Sequence, residues 1–115
     1  MDRAFYSAFQ SGKGEIFEFK PAATVISARR AGTTATYDQL NKYFGISQMP
    51  IISSRYWNMV HGATPEDVKK DEEGMQIMRI LGKNMAYYLK RKEAGKKAGI
   101  ELPKQEEVIF TDFIR

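Results

Sequence analysis

The chain has 115 residues, of which 43% are hydrophobic and 28% are charged, and its formal net charge is +4. This length and composition favour one folded domain spanning residues 1–115 and argue against intrinsic disorder. Cysteine is absent and histidine occurs once. Disulfides, thiolate zinc sites, a cysteine nucleophile and histidine-rich metal sites are therefore excluded, and no metal site is expected.

The distribution of apolar and basic residues bears on membranes and nucleic acids. No apolar run approaches the roughly 20 residues that cross a bilayer, and the amino-terminal sequence lacks the basic-then-apolar order of a secretion signal. We therefore expect a cytoplasmic protein without a membrane partner. Much of the basic excess lies in residues 90–97, where a solvated helix end explains it better than a nucleic-acid surface. Nucleic acid is not an expected partner.

The first twenty residues combine an amphipathic run, a loop and an aromatic pair. The segment DRAFYSAF is amphipathic, and the glycines that follow it indicate a loop. Phe17 and Phe19 alternate with charged residues, which is typical of a short strand or of an extended approach to Pro21. No strand precedes the amphipathic run, so the sequence is expected to correspond to a truncated domain.

Two short apolar runs are predicted to form strands. Residues 22–27 are β-branched towards their end and too few for a helix, which favours a buried strand. Residues 49–53 form a second run of this kind, and each run is followed by a polar loop. The order strand, helix, strand, helix implies a right-handed crossover and parallel pairing. The predicted fold class is α/β.

The helices are predicted from their caps and their apolar spacing. The helix after the first strand has three candidate caps, Thr33, Thr34 and Thr36, and is expected to stop at Gly45. Thr64 and Pro65, followed by acids, predict another helix start. A long helix is expected over residues 71–93. Its apolar face, interpreted as a core face or a dimer contact, contains Met75, Met78, Leu81, Met85 and Leu89.

The C-terminal segment, residues 100–115, is predicted to be an extended tail. Its apolar side chains are Val108, Ile109, Phe110, Phe113 and Ile114. Such a concentration of apolar surface is unfavourable in water. We therefore expect the tail to dock on this subunit or on a neighbouring one.

The strongest candidate site is the loop after the first predicted strand. Its residues are Ser27, Ala28, Arg29, Arg30, Ala31, Gly32 and Thr33. The glycine allows a ligand to approach the backbone closely, and the two arginines supply positive charge with planar donors. In open α/β sheets, ligands bind at the carboxyl ends of strands and anions bind at helix amino ends. The alternative is an ordinary strand-to-helix connection with its arginines in water.

A second candidate follows the other predicted strand and consists of Arg55, Tyr56, Trp57 and Asn58. The two aromatic residues are typical of a pocket wall for a flat ligand, or of a core or dimer-interface pair. His61 has no second histidine or acid partner nearby in sequence, so acid–base catalysis is weighed against a surface or hydrogen-bonded role. No catalytic residue is assigned, because no Ser–His–Asp or paired-carboxylate arrangement follows from these positions.

Three stretches carry a resemblance to a known family: SARRAGTTATYDQLNKYFGISQMPIISSRYWNMVHG, DEEGMQIMRILGKNMAYYLK and the ending TDFIR. Together they resemble the C-terminal part of an NADPH-dependent FMN reductase, in the flavodoxin-like flavoprotein superfamily. The resemblance covers nearly the whole chain, from DRAFY onwards. It implies a three-layer α/β/α sandwich with a parallel sheet, FMN at the carboxyl ends of the strands, and a homodimer or homotetramer.

The resemblance also assigns roles to the two candidate loops. Residues 27–33 correspond to the loop that approaches the isoalloxazine ring, and residues 55–58 correspond to a segment near the flavin or the subunit interface. The implied cofactors are FMN and NADPH or NADH, and the implied reaction is hydride transfer from the nicotinamide to flavin N5. The cofactors carry that chemistry, so no protein acid or base is required.

The sequence departs from the family pattern at its amino end. Family members begin with a strand and a serine- and asparagine-rich loop that grips the FMN phosphate, followed by further strands before DRAFY. No such segment is present here. We therefore expect a partial sandwich lacking the N-terminal strands. Two functions stay open: an FMN-dependent NAD(P)H oxidoreductase, or a non-catalytic oligomerisation or interaction fragment that does not bind FMN on its own.

Overall fold

The computed structural model describes residues 1–113, and in this range it contains four α-helices and one two-stranded parallel sheet. The helices are α1 (Asp2–Gln10), α2 (Thr33–Ile46), α3 (Pro65–Lys70) and α4 (Glu72–Lys97). The strands are β1 (Ile26–Ala28) and β2 (Met59–His61). The predicted combination of helices with parallel strands is confirmed for this small sheet.

The first predicted strand, residues 22–27, is only partly regular. Ala22 forms an isolated parallel bridge with Ile51, and continuous pairing begins at Ile26. Between these points Thr24 is buried, whereas Val25 is 57% exposed. The predicted burial of the whole run is therefore wrong at Val25.

The second predicted strand, residues 49–53, pairs through one residue, and β2 lies farther along the chain. Between the isolated bridge and the ladder, three residues of the first segment (23–25) face seven of the second (52–58). The four extra residues cannot follow the pairing line, because parallel strands advance together residue by residue. Residues 53–58 therefore form an excursion that precedes β2, and the predicted strand position is wrong.

Helix α2 begins near the predicted residue but has a different cap. Its N-cap is Gly32, whose φ of 93° lies in the left-handed region, and no side chain caps the first turn. The Thr36 hydroxyl donates a hydrogen bond to Gly32 O at 2.8 Å instead of accepting one from a backbone N–H. A glycine adopts this conformation without steric cost and can start the helix where a threonine was expected. The helix continues through Gly45 to Ile46.

Helices α3 and α4 have side-chain caps. Thr64 Oγ1 accepts a hydrogen bond from Asp67 N at 3.2 Å, which confirms the predicted cap. Asp71 Oδ1 accepts one from Gly74 N at 2.9 Å and caps α4. Helix α4 extends past the predicted end at residue 93 to Lys97, because lysines in its last turn interact favourably with the carboxyl end of the helix dipole.

The core is small and has two parts: α2 and α4 pack on the sheet, and Phe5 of α1 packs on the rings of Phe17, Tyr43 and Phe44. Its buried apolar residues are Phe5, Ala8, Ile26, Ile52, Met59, Val60, Ile77 and Leu81. On α4 the buried apolar residues are Ile77 and Leu81, whereas the methionines are half-buried and Leu89 is exposed. The three methionines of the predicted apolar face therefore lie beside the centre of the buried face of α4.

Phe17 and Phe19 do not form a strand. A 3-10 turn (Gly14–Ile16) precedes Phe17, whose ring stacks on Phe5 of α1 with centroids 4.4 Å apart. Phe19 has a φ of 57°, and its N–H donates to Gln48 O at 3.0 Å. The alternation of aromatic and charged residues therefore belongs to a turn in which Phe17 packs on α1, and not to a strand.

The chain after α4 has no regular secondary structure through residue 113. Val108, Ile109, Phe110 and Phe113 are between 72% and 92% exposed. The prediction that these residues dock on their own subunit is wrong, and docking on a neighbour stays a prediction. Ile114 lies outside the described residues. Within residues 1–113, no helix is both long and apolar enough to cross a membrane.

Candidate functional site

The carboxyl ends of β1 and β2 meet side by side and form the candidate site. Ala28 pairs with His61 at the end of the ladder, and Gly62 N donates to Ala28 O at 3.1 Å. Because the strands are parallel, the loops that leave them start from one edge of the sheet. We call this the carboxyl edge. The β1–α2 loop, residues 29–32, and the β2–α3 loop, residues 62–64, both leave from it.

The first predicted group of site residues lies at this edge. Ser27 is exposed and Ala28 half-buried at the end of β1, and Thr33 is buried at the start of α2. Between them the β1–α2 loop is exposed, including its two arginines. Within the described chain no carboxylate pairs with Arg29 or Arg30. Their positive charge is therefore available to a ligand.

The second predicted group lies elsewhere. Residues 55–58 belong to the excursion, directly before the first residue of β2. They lie at the amino end of β2, whereas the β1–α2 loop leaves the carboxyl end of β1. The expectation that both groups follow strands is wrong for residues 55–58, because the apolar run before them pairs only at Ile51.

Arg55 fixes the excursion to α4. Its Nε donates to Gln76 Oε1 at 2.8 Å, and its guanidinium forms an ion pair with Glu73 at 3.1 Å. The neighbouring Ser54 hydroxyl donates to Ile77 O at 2.7 Å. The arginine predicted to face a ligand is engaged with the long helix.

The remaining residues of the excursion differ sharply in burial. Tyr56 and Trp57 are each about half exposed, with ring centroids 4.9 Å apart. They are not a core pair in this chain, and the pocket-wall and interface interpretations stay predictions. Asn58 is fully buried, and its Oδ1 accepts from Ser54 N at 3.3 Å. Its Nδ2 has no partner among the described residues, so the segment contains one unsatisfied buried donor.

His61 has an acid partner that sequence reasoning missed. Asp71 Oδ2 accepts a hydrogen bond from His61 N at 2.7 Å and lies 3.9 Å from the imidazole Nδ1. The hydrogen bonds from Gly74 N–H and then from His61 N–H lower the pKa of Asp71 below its usual value. Of the two roles weighed for His61, a hydrogen-bonded one is present at its backbone N–H, and acid–base catalysis stays a prediction. The available signal was an aspartate at a helix start, but the partner of its second oxygen depends on the fold.

Two glycines let α3 and α4 approach β2 closely. A Cβ on Gly74 would lie 2.8 Å from Asp71 Cγ and 2.9 Å from Val60 Cγ1. A Cβ on Gly62 would lie 2.5 Å from Val68 N. These separations are shorter than real Cβ contacts, so a larger residue at either position would force a helix or a neighbouring side chain to move. The close approach at Gly74 places Asp71 within hydrogen-bonding distance of His61 N.

Comparison with known proteins assigns no family to this chain. No protein-family model matches it, and neither does any curated protein or solved structure. Within residues 1–113, no group of three or more histidine, aspartate or glutamate side chains is placed to hold a metal ion.

Proposed function

We propose that the chain is part of an FMN-dependent NAD(P)H oxidoreductase with a flavodoxin-like three-layer sandwich. The observation that carries the proposal is the shared carboxyl edge of two parallel strands. From this edge an exposed loop enters α2, and its two arginines pair with no carboxylate of residues 1–113. Doubly wound folds bind FMN at this kind of edge. The resemblance of residues 27–33 to a ring-facing loop supports the same assignment.

The donors at this edge fit the pyrimidine side of a flavin. That side presents carbonyl oxygens and N1, which accept hydrogen bonds. The amino end of α2 has no side-chain cap, so backbone N–H groups of its first turn are available as donors. Arg29 and Arg30 add positive charge, which would stabilise negative charge on a bound flavin. FMN, when bound, would supply the two-electron chemistry.

The protein residues at the edge would bind and orient the flavin. The β1–α2 loop would supply donors and charge, and Gly32 leaves room because a Cβ built on it meets no atom within 4 Å. His61 is a titratable group at the same edge, held through its backbone N–H by Asp71. Hydride transfer from NADPH or NADH requires no protein acid or base, so positioning and electrostatics suffice.

Titration of the purified full chain with FMN tests the proposal. We expect saturable quenching of flavin fluorescence, together with FMN-dependent oxidation of NADPH. The double variant Arg29→Ala/Arg30→Ala should bind FMN about tenfold more weakly, equivalent to about 1.4 kcal/mol, since two charges near the ring are lost. Arg79→Ala, which removes an exposed arginine of α4, is the matched control and should bind normally. Unchanged FMN fluorescence throughout the titration would reject the proposal.

Self-association without catalysis is the second candidate function. It is favoured by the exposed apolar residues at positions 108–113, which suit burial in a homodimer or homotetramer. Under this function the purified chain forms oligomers but does not quench flavin fluorescence. Either function suits the cytoplasmic location predicted from the sequence.

A further inference from the structure

Two apolar surfaces of the chain are left uncovered, and the first is the C-terminal arm, residues 101–113. Leu102 is 63% exposed, and the apolar residues from Val108 to Phe113 are exposed more fully still. The segment from residue 108 to 110 is β-branched and aromatic, which suits an extended peptide that inserts side chains into a groove. The arm has the composition of a docking peptide.

The second surface is a groove between α1 and α2 with a volume of ≈ 390 Å³. Its apolar lining comprises Phe5, Tyr6, Phe9, Tyr43 and Ile46. The Tyr43 hydroxyl donates to the Asp2 carboxylate, which ties the two helices together and raises the pKa of Tyr43. This hydrogen bond connects the two helices that line the groove.

Net charge favours docking of the arm on residues 1–100, which we call the body of the chain. Residues 101–115 contain four acids and two bases, a net charge of −2. Residues 1–100 contain 16 bases and ten acids, a net charge of +6. The groove lining contains one base, Lys42, and one acid, Asp2, so the complementary charge lies on residues 1–100 as a whole. Opposite charges speed association and set orientation.

The arm leaves its own body. The radius of gyration of the chain is 17.5 Å. A compact domain of this length has about 13 Å. Lys92 Nζ donates to Phe19 O at 2.8 Å, and beyond this contact every residue from 96 to 113 is exposed. Fully extended, 13 residues span about 43 Å, enough to cross a neighbouring body.

We infer that two copies of this chain associate by exchanging their C-terminal arms, each arm seating its apolar side chains in the α1–α2 groove of the other copy. Because both arms are exchanged between the same two copies, the two arm–groove contacts are identical and are related by a twofold axis. The inference rests on the self-association function, whose contact it names, and is independent of flavin binding.

Sedimentation velocity on full-length variants tests the contact. The unaltered chain should sediment as a dimer, at twice the 13.2 kDa chain mass. Phe110→Asp in the arm and Ile46→Glu in the groove should each weaken dimerisation at least about tenfold, because each places a charge in an apolar contact. Both residues are largely exposed in the monomer, so its fold should be kept. Ile16→Glu, at an exposed residue outside the groove, is the control and should remain dimeric.

Disulfide trapping distinguishes exchange from docking within one chain, because the sequence has no cysteine. A chain with Ile46→Cys mixed with a chain with Phe110→Cys should give a linked heterodimer under mild oxidation. The pair Gly82→Cys and Phe110→Cys, with the first cysteine exposed on α4, measures random collision. A chain that carries both Ile46→Cys and Phe110→Cys should likewise link to a second copy, and a disulfide within one monomer would overturn the exchange. In the mixture of single variants, linkage no faster than in the control pair would also overturn it.

The sedimentation outcomes separate the contact from the function. If the unaltered chain dimerises and Phe110→Asp leaves the dimer intact, arm exchange is wrong while self-association stands. If the unaltered chain is monomeric, both are wrong.

Discussion

Gly74→Ala is expected to destabilise the chain by about 2–3 kcal/mol, because the added methyl overpacks a junction with no free space. The new Cβ would lie 2.9 Å from Val60 Cγ1 on β2 and 2.8 Å from Asp71 Cγ. Relief requires α4 to move away from the sheet or the Asp71 carboxylate to leave its position. Either movement loses hydrogen bonds to that carboxylate or buried contacts of β2.

Gly82→Ala on the same helix is the matched control. A Cβ on Gly82 meets no atom within 4 Å, and the residue lies in the interior of α4. Alanine is there expected to stabilise the chain by about 0.5–1 kcal/mol, since it restricts the unfolded chain more than glycine does. Urea unfolding followed by circular dichroism measures both changes. Midpoints that move in the same direction for the two variants would contradict the packing account of Gly74.

Asp71→Ala is the second large effect, expected to lower the free energy of unfolding by about 2 kcal/mol. The carboxylate accepts hydrogen bonds from Gly74 N–H and His61 N–H, at 2.9 Å and 2.7 Å. Alanine removes both acceptors. Asp71→Asn keeps one oxygen and a side chain that caps helices well, so about half of the loss is expected. Equal losses for the two variants would show that the hydrogen bonds are not the cause.

The contribution of Asp71 should depend on pH. Its pKa in the folded chain lies below the usual 3.8, so the ionised carboxylate stabilises the folded state more than the protonated form does. The stabilisation is therefore complete above pH 3.8 and is lost as the pH falls below that value through the folded-state pKa. The difference in unfolding free energy between the unaltered chain and Asp71→Asn should shrink over this range.

Glu72→Gln is the control for the pH experiment. Glu72 is an exposed acid in the first turn of α4, so only its interaction with the helix dipole is lost. That interaction is worth a few tenths to about 1 kcal/mol. A pH dependence as large for Glu72 as for Asp71 would assign the effect to the dipole instead of the two backbone hydrogen bonds.

Local signals predicted the helices better than the strands. The cap at Thr64 joins atoms three residues apart, so it can be read from sequence, and the structure confirms it. Strand pairing depends on distant segments. Residues 49–53 have the composition of a strand, yet only Ile51 pairs, because the continuous ladder uses Met59–His61. Composition identifies a segment able to pair, but it does not fix the register.

The candidate site, like the fold, was predictable only where neighbouring residues in the sequence determine it. The β1–α2 loop follows directly from a strand that continues into a helix, and the structure places it at the carboxyl edge. The partnership of His61 with Asp71 was not predictable, because it requires α3 to turn the chain so that α4 begins beside β2. Gly62 and Gly74 permit that approach, but in sequence they resemble any other loop or helix glycine.

The lone histidine at the carboxyl edge gives the chain a built-in spectroscopic reporter. His61 is the only imidazole, so its ring protons give one assignable pair of nuclear magnetic resonance signals without isotopic labelling of selected residues. The residue joins β2 to the cap of α4, and it pairs with the end of β1. Its chemical shift therefore reports ligand binding at the edge and separation of α4 from the sheet, each in solution and without a substitution.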